Sequence, residues 1–148
     1  MRILCSVIAS ILAISALESS QAKPNYSGVW KLESAKRIEI LTIDHQEPMF
    51  NLKYKIEDNL GKRSFELKAN TDGKEYEQNV LGGPATFVAK WDGNDLAIEL
   101  KRIASYGPVH NRRILKLSED GQTITTEKID YSPDAKERYR YPETWKKQ

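Results

Sequence analysis

Apolar and polar residues alternate one by one through most of this chain, in short runs separated by turn-forming residues. Phe50, Leu52, Tyr54 and Ile56 alternate with Asn51, Lys53, Lys55 and Glu57. Phe65, Leu67 and Ala69 alternate with Ser64, Glu66 and Lys68, and Tyr76, Gln78 and Val80 with Glu75, Glu77 and Asn79. Phe87, Ala89 and Trp91 oppose Thr86, Val88 and Lys90, and Leu96, Ile98 and Leu100 oppose Ala97, Glu99 and Lys101. A period of two marks half-buried β-strands, and parity names the inner face. Helical spacing fails: on a 3.6-residue cylinder, residues 50–58 would scatter apolar and charged groups all round. Other runs are less tidy. Val109, Leu115 and Leu117 share parity with Asn111 and Arg113, and residues 37–44 and 123–131 carry apolar side chains on both parities. Pro142 interrupts the last run, 137–145; lacking an amide donor, it belongs on an edge, at a bulge or at a strand end.

Turn signals fall between these runs: Asn59-Leu60-Gly61, Asp72-Gly73, Gly82-Gly83-Pro84, Asp92-Gly93-Asn94, Gly107-Pro108, Asp120-Gly121 and Ser132-Pro133-Asp134. Glycine supplies the positive φ of tight hairpin turns, and Gly-Pro steps break helices. Short turns make sequence neighbours spatial neighbours, as in an antiparallel meander. With residues 26–32 as a first strand the count reaches nine or ten. An open sheet that wide leaves two exposed edges, so the pattern predicts an all-β, single antiparallel up-and-down β-barrel of about eight to ten strands. A two-sheet β-sandwich is the alternative; its crossing connections need longer loops.

Residues 1–22 read as a secretory signal peptide: Arg2, an apolar run over 3–17, then small residues at Ser20 and Ala22. Roughly 15 apolar residues fall short of the ~30 Å hydrocarbon core, so stable membrane insertion after cleavage is not expected. Cleavage after Ala22 leaves residues 23–148 as one domain, secreted or periplasmic. The single cysteine, Cys5, leaves with the leader, so neither disulfides nor thiol chemistry are expected in the mature chain. That chain keeps 22 Lys and Arg against 20 Asp and Glu, interleaved, with no basic block to suggest nucleic acid.

At Ser27-Gly28-Val29-Trp30-Lys31-Leu32 the chain resembles the lipocalin and calycin superfamily, whose first strand carries Gly-x-Trp. Residues 25–36, 89–102 and 117–125 look like a family of small exported bacterial proteins with lipocalin-like barrels, mostly without assigned activity. The resemblance implies a barrel, an extracytoplasmic address, and a structural plug at Gly28 and Trp30, the tryptophan lying under a basic side chain from the last strand. It does not carry fatty-acid binding across. Only residues 33–36 separate the first two strands, too few for a helical lid, and Arg138 and Arg140 lie opposite Tyr139 and Tyr141 rather than forming an inward Arg-x-Tyr step.

Few residues suggest chemistry. His45 and His110 lie in separate segments and read as surface turn histidines, so no metal site is expected. No GxSxG elbow or phosphate-binding loop occurs, and no cofactor is implied. The carboxylate pairs Glu75 with Glu77 and Glu99 with Glu127 carry the parity of a solvated face, so an enzyme is not expected. What remains is an aromatic inner face. Tyr54, Phe65, Tyr76, Gln78, Phe87 and Trp91 are the candidate ligand-binding residues for a small, mostly apolar molecule. The alternative is a filled barrel that binds a protein or envelope partner through its outer face or loops, with an exposed apolar patch near Val88, Ile103, Tyr106 or Ile129.

Overall fold

The computed structural model describes residues 22–34 and 36–148; residues 1–21, which hold nearly all of the expected leader, lie outside the described residues. Ten strands follow one another: β1 (Gly28–Leu32), β2 (Ile38–Gln46), β3 (Met49–Asp58), β4 (Gly61–Asn70), β5 (Tyr76–Val80), β6 (Gly83–Asp92), β7 (Asp95–Ala104), β8 (Gly107–Leu117), β9 (Thr123–Tyr131) and β10 (Glu137–Lys147). They form one antiparallel sheet in the order β4-β3-β2-β1-β10-β9-β8-β7-β6-β5. A single continuous sheet rules out the sandwich. β1 joins β10 through Trp30 to Lys147, Lys31 to Lys146 and Leu32 to Trp145, which wraps the meander into a nearly closed barrel.

β4 and β5 end the sheet, and no ladder joins them among the described residues. Side-chain and turn contacts close much of this seam. The Gln78 amide accepts the Lys68 N–H at 2.9 Å and donates to the Lys68 carbonyl at 3.1 Å, copying one rung of a ladder. Past β4 the chain crosses to β6, where the Gly73 N–H donates to the Ala89 carbonyl at 3.0 Å.

Parity places the core as expected. Phe50, Leu52, Tyr54, Leu67, Ala69, Phe87, Ala89, Leu96, Ile98 and Leu100 are all buried. The two-sided runs resolve with Leu41 and Ile43 inward on β2 and Ile124 inward on β9. Ile129 is not part of an exposed patch: it is 1% exposed, whereas Ile103 and Tyr106 are open. Pro142 faces Glu127 of β9 along a stretch of β10 that extends beyond the end of β1, where its missing N–H breaks no rung.

One end of the barrel is shut. Trp30 is fully buried there, its indole N–H donating to the Tyr26 carbonyl at 2.9 Å. The Lys147 ammonium lies 5.4 Å from the Trp30 ring centroid, a cation–π contact from the last strand. Gly28 makes room for it: at φ +144°, a Cβ here would sit 2.9 Å from Lys147 Cε. The Tyr26 hydroxyl donates to the Leu115 carbonyl at 2.8 Å, tying the entering chain to β8, and burial pushes this phenol's pKa up to about 12.

His45 corrects its expectation as a surface turn residue. It is 2% exposed on β2, with its ring between those of Tyr26, Phe50 and Trp91. Its Nδ1 accepts the Tyr26 N–H at 3.2 Å, so Nε2 carries the proton it shares with Glu47 at 2.7 Å. Glu47 also accepts from Thr71 and Trp91, which ties the β2–β3 turn to the segment after β4 and to the end of β6. His110 is likewise not a turn residue; it lies half-buried on β8, 2.7 Å from Glu99 and stacked on Tyr131.

Replacing Trp30 with alanine removes both the plug and its hydrogen bond. Urea denaturation is expected to show a loss of about 3–5 kcal/mol; a loss under about 0.5 kcal/mol would mean that the closed end holds without it.

Candidate functional site

Above the shut end the interior opens into a cavity of about 640 Å³ that reaches the opposite end of the barrel. Leu41, Leu52, Leu67, Phe87, Ile98 and Leu100 give it an apolar lining, while Arg37, Arg113, Lys128 and Asp130 supply charge. Of the six candidate ligand residues, Tyr54, Phe65 and Phe87 line this space. Tyr76, Gln78 and Trp91 do not. The Tyr76 hydroxyl donates to Asp72 at 2.8 Å, Gln78 is committed to the β4–β5 seam, and Trp91 packs 6.1 Å from Tyr26 at the closed end. Gly28 and Trp30 stand together at that end, below the cavity.

The structure adds a group that parity reading passed over. β1 stops at Leu32, paired with Trp145, while β2 and β10 run on. Where β1 ends, Glu39 of β2 and Glu143 of β10 both turn inward, 0% and 7% exposed. Tyr54 donates its hydroxyl to Glu39, and Arg37 pairs with the same carboxylate. Arg113 of β8 donates from Nε to Glu143 at 3.0 Å, and the Thr126 hydroxyl donates to it at 2.8 Å. The Arg113 guanidinium also lies 5.7 Å from the Tyr54 ring centroid. Lys128 donates to the Tyr141 hydroxyl at 2.6 Å, and that hydroxyl donates to Asp130 at 3.3 Å. Each of Glu39, Arg113, Lys128 and Glu143 stands two residues from a core side chain of its own strand (Leu41, Leu115, Thr126 and Trp145), so inward parity was the available signal.

Burial and neighbours split the two carboxylates. Burial pushes the Glu39 carboxyl above the usual range; Arg37 opposes this and the charge of Glu143 adds to it. Burial acts on Glu143 in the same direction, but the charge and hydrogen bond of Arg113, helped by Thr126, outweigh it and hold Glu143 below that range. Lys128 is held below the usual lysine range by burial and by Arg113, and burial with Asp130 and Glu143 pushes Tyr141 up to about 12. Three buried polar atoms, Glu39 Oε1, Glu143 Oε1 and Trp145 Nε1, have no hydrogen-bond partner among the described residues, although Arg37 forms an ion pair with the first.

The other carboxylate pairs do not form a site. Glu99 of β7 and Glu127 of β9 are separated by β8, and Glu75 and Glu77 are exposed. Among the described residues, no three His, Cys, Asp or Glu side chains gather as metal ligands.

Comparison with protein-family models and with curated protein sequences finds no match. Among solved structures, the chain is similar to secretory abundant heat soluble protein 4 from Ramazzottius varieornatus: TM-score 0.60, 11% identity, covering 87% of this chain and 99% of that one. It is also similar to a point mutant of the REP1-NXSQ fatty acid transporter: TM-score 0.51, 12% identity, covering 82% of this chain and 97% of that one. Identities this low show the fold alone, a lipocalin-like all-β barrel.

The split carboxylates predict opposite responses to neutralisation. Glu143, lowered on folding, stabilises the fold above the ordinary carboxylate range, and that contribution is lost as pH falls through its depressed value. Glu39, raised on folding, contributes fully below the ordinary range and loses that contribution as pH rises through its elevated value. Glu143→Gln is therefore expected to cost about 3 kcal/mol at neutral pH, less in acid, because it strands the Arg113 charge. Glu39→Gln is expected to change stability by less than about 1 kcal/mol and to gain on the parent as pH rises. Urea denaturation across acid to neutral pH distinguishes the two.

Proposed function

We propose that this protein is an exported carrier, bacterial in origin, that holds one small and mostly apolar molecule inside its barrel. The observation that carries the reading is the cavity of about 640 Å³, apolar over most of its lining and open at one end. Pockets of roughly 300–1,000 Å³ with a few placed polar groups suit single small ligands. Tyr54, Arg113 and Lys128 form one polar group in the lining, so the ligand's apolar body lies against Leu52, Leu67, Phe87 and Ile98 and its polar end meets those three. The leader reading over residues 1–22 supports an extracytoplasmic address. A fatty acid transporter with the same fold suits an apolar passenger, without supplying its identity.

Interior charges that engage one another favour recognition over catalysis. Glu143 is occupied by Arg113 and Thr126, and Lys128 by Tyr141, which leaves them as a fixed polar wall rather than a poised acid and base.

Mass spectrometry of small molecules extracted from purified protein is expected to return a reproducible apolar passenger at one per chain. Leu52→Trp, directed into the cavity, is expected to lower uptake of a fluorescent apolar probe about tenfold or more. Lys53→Trp, on the opposite face of the same strand, should leave uptake unchanged. Empty extracts, together with equal uptake by both variants, would remove the carrier reading.

A further inference from the structure

The two ends of the barrel differ in what their turns expose. Of the hairpins at the open end, three carry a large apolar residue at or beside the tip: Leu60 between β3 and β4, Leu81 between β5 and β6, and Tyr106 between β7 and β8. They are 78%, 49% and 79% exposed, and all three border the cavity mouth. No exposed large hydrophobic falls in a turn at the closed end among the described residues, where Asp, Asn, Gly, Ser and Glu occupy the turns. The same hairpin geometry is thus met without apolar tips at one end, so the turns themselves do not demand them.

Leu81 makes the point most directly. Its φ is +51° and that of the following Gly82 is +80°, a pair of left-handed residues for which Asn-Gly is the favoured sequence. A leucine there is both strained and half in water, two costs that an asparagine would avoid.

Charge follows the same axis. At the open end, residues 33–37, 56–63, 79–84, 101–110 and 130–140 hold nine Lys and Arg against six Asp and Glu. At the closed end, residues 22–28, 44–49, 69–76, 90–96, 116–124 and 145–148 hold six against eight. Arg37, Lys101 and Arg140 of the open end pair with Glu39, Glu99 and Glu127 just beyond these segments, which leaves Lys36, Arg102 and Arg138 as its cations without an ion pair among the described residues. Isolated tips on separate hairpins, spaced around an opening and mixed with basic side chains, suit the soft, negatively charged interface of a membrane. A protein partner of ordinary size would bury about 800 Å² of continuous surface on this side, whereas these tips stand apart around an opening.

We propose that the protein docks mouth first, reversibly and without spanning, on an anionic lipid bilayer through Leu60, Leu81, Tyr106 and the basic rim. The reading rests on the carrier function only for its purpose: a mouth pressed to the bilayer lets an apolar passenger move without crossing water.

The test uses the chain from Lys23 onward, which holds all ten strands and the whole core. Flotation with vesicles of phosphatidylglycerol and phosphatidylcholine is compared with pure phosphatidylcholine vesicles. Binding to the anionic vesicles, weakened by salt, is expected. A Leu60→Ser, Leu81→Asn, Tyr106→Ser variant should partition about tenfold less or weaker still. Its thermal melting is checked alongside, and asparagine at position 81 suits the turn. An indole placed by Tyr106→Trp should be quenched by brominated lipid, whereas one placed at the opposite end by Asn94→Trp should not. No binding to anionic vesicles, equal binding by the folded triple variant, or equal quenching at both positions would overturn the proposal. So would retention of the rim by a protein partner in place of vesicles. Probe uptake measured without vesicles separates this result from the carrier reading: uptake without docking overturns only the docking, and docking without uptake only the carrier.

Discussion

Three rungs of ladder, from Trp30, Lys31 and Leu32 to the last residues of β10, hold the first and last strands together. They lie at one end of the barrel, and that position decides how the rest is built. Below them, Trp30 under the Lys147 ammonium and the hydrogen-bonded set of Tyr26, His45, Glu47, Thr71 and Trp91 fill the interior. Above them β1 has ended, so β2 and β10 flank a stretch of wall with no strand between them. At the far side β4 and β5 are bridged mainly by a glutamine side chain. The backbone tie between the first and last strands is thus confined to the low end of the barrel.

The polar wall follows from where β1 stops. Glu39 and Glu143 flank that point, and Arg113 and Lys128 reach toward them from the next strands. Buried ion pairs seldom stabilise a fold better than well-packed apolar residues would, because desolvation offsets most of the Coulomb energy. An apolar plug would have closed this wall as Trp30 closes the bottom.

Parity along the strands made the barrel readable from the chain. Phe50, Leu52 and Tyr54, or Leu96, Ile98 and Leu100, declare their face by spacing alone, and Gly61, Gly73 and Gly93 adopt the positive φ their turns imply. Parity gives one coordinate, inward or outward. It does not give height along the axis, which depends on strand register and stagger set by pairing. Trp91 and Phe87 share a face, yet Phe87 lines the cavity and Trp91 packs at the closed end. Gln78 shares it too, but the sheet's ends fall beside it and its amide serves as backbone. His45 looked exposed because its neighbours Asp44 and Gln46 are polar; Tyr26, Phe50 and Trp91 bury it only once the barrel closes. Glu39 and Glu143 stood on inward parity, but a lone acid on that face is indistinguishable in sequence from an irregular strand until a cation is seen to meet it.

A barrel tied at one end can also give at the other. Opening the mouth needs movement of hairpins whose tips are held by few buried contacts, while the closed-end ladder and plug stay in place. Cooperative units of low stability tend to be the ones that open locally, well below the cost of global unfolding. The β5–β6 hairpin fits that description, since β5 has only five residues, a side-chain bridge on one flank and a left-handed leucine at its turn. Its neighbours across the mouth are the Leu60 and Tyr106 turns, so the least secured part of the barrel is also the most apolar part of its rim. An interface that takes up those side chains would repay their exposure and leave the closed end undisturbed, coupling contact at the rim to access at the cavity through one short hairpin.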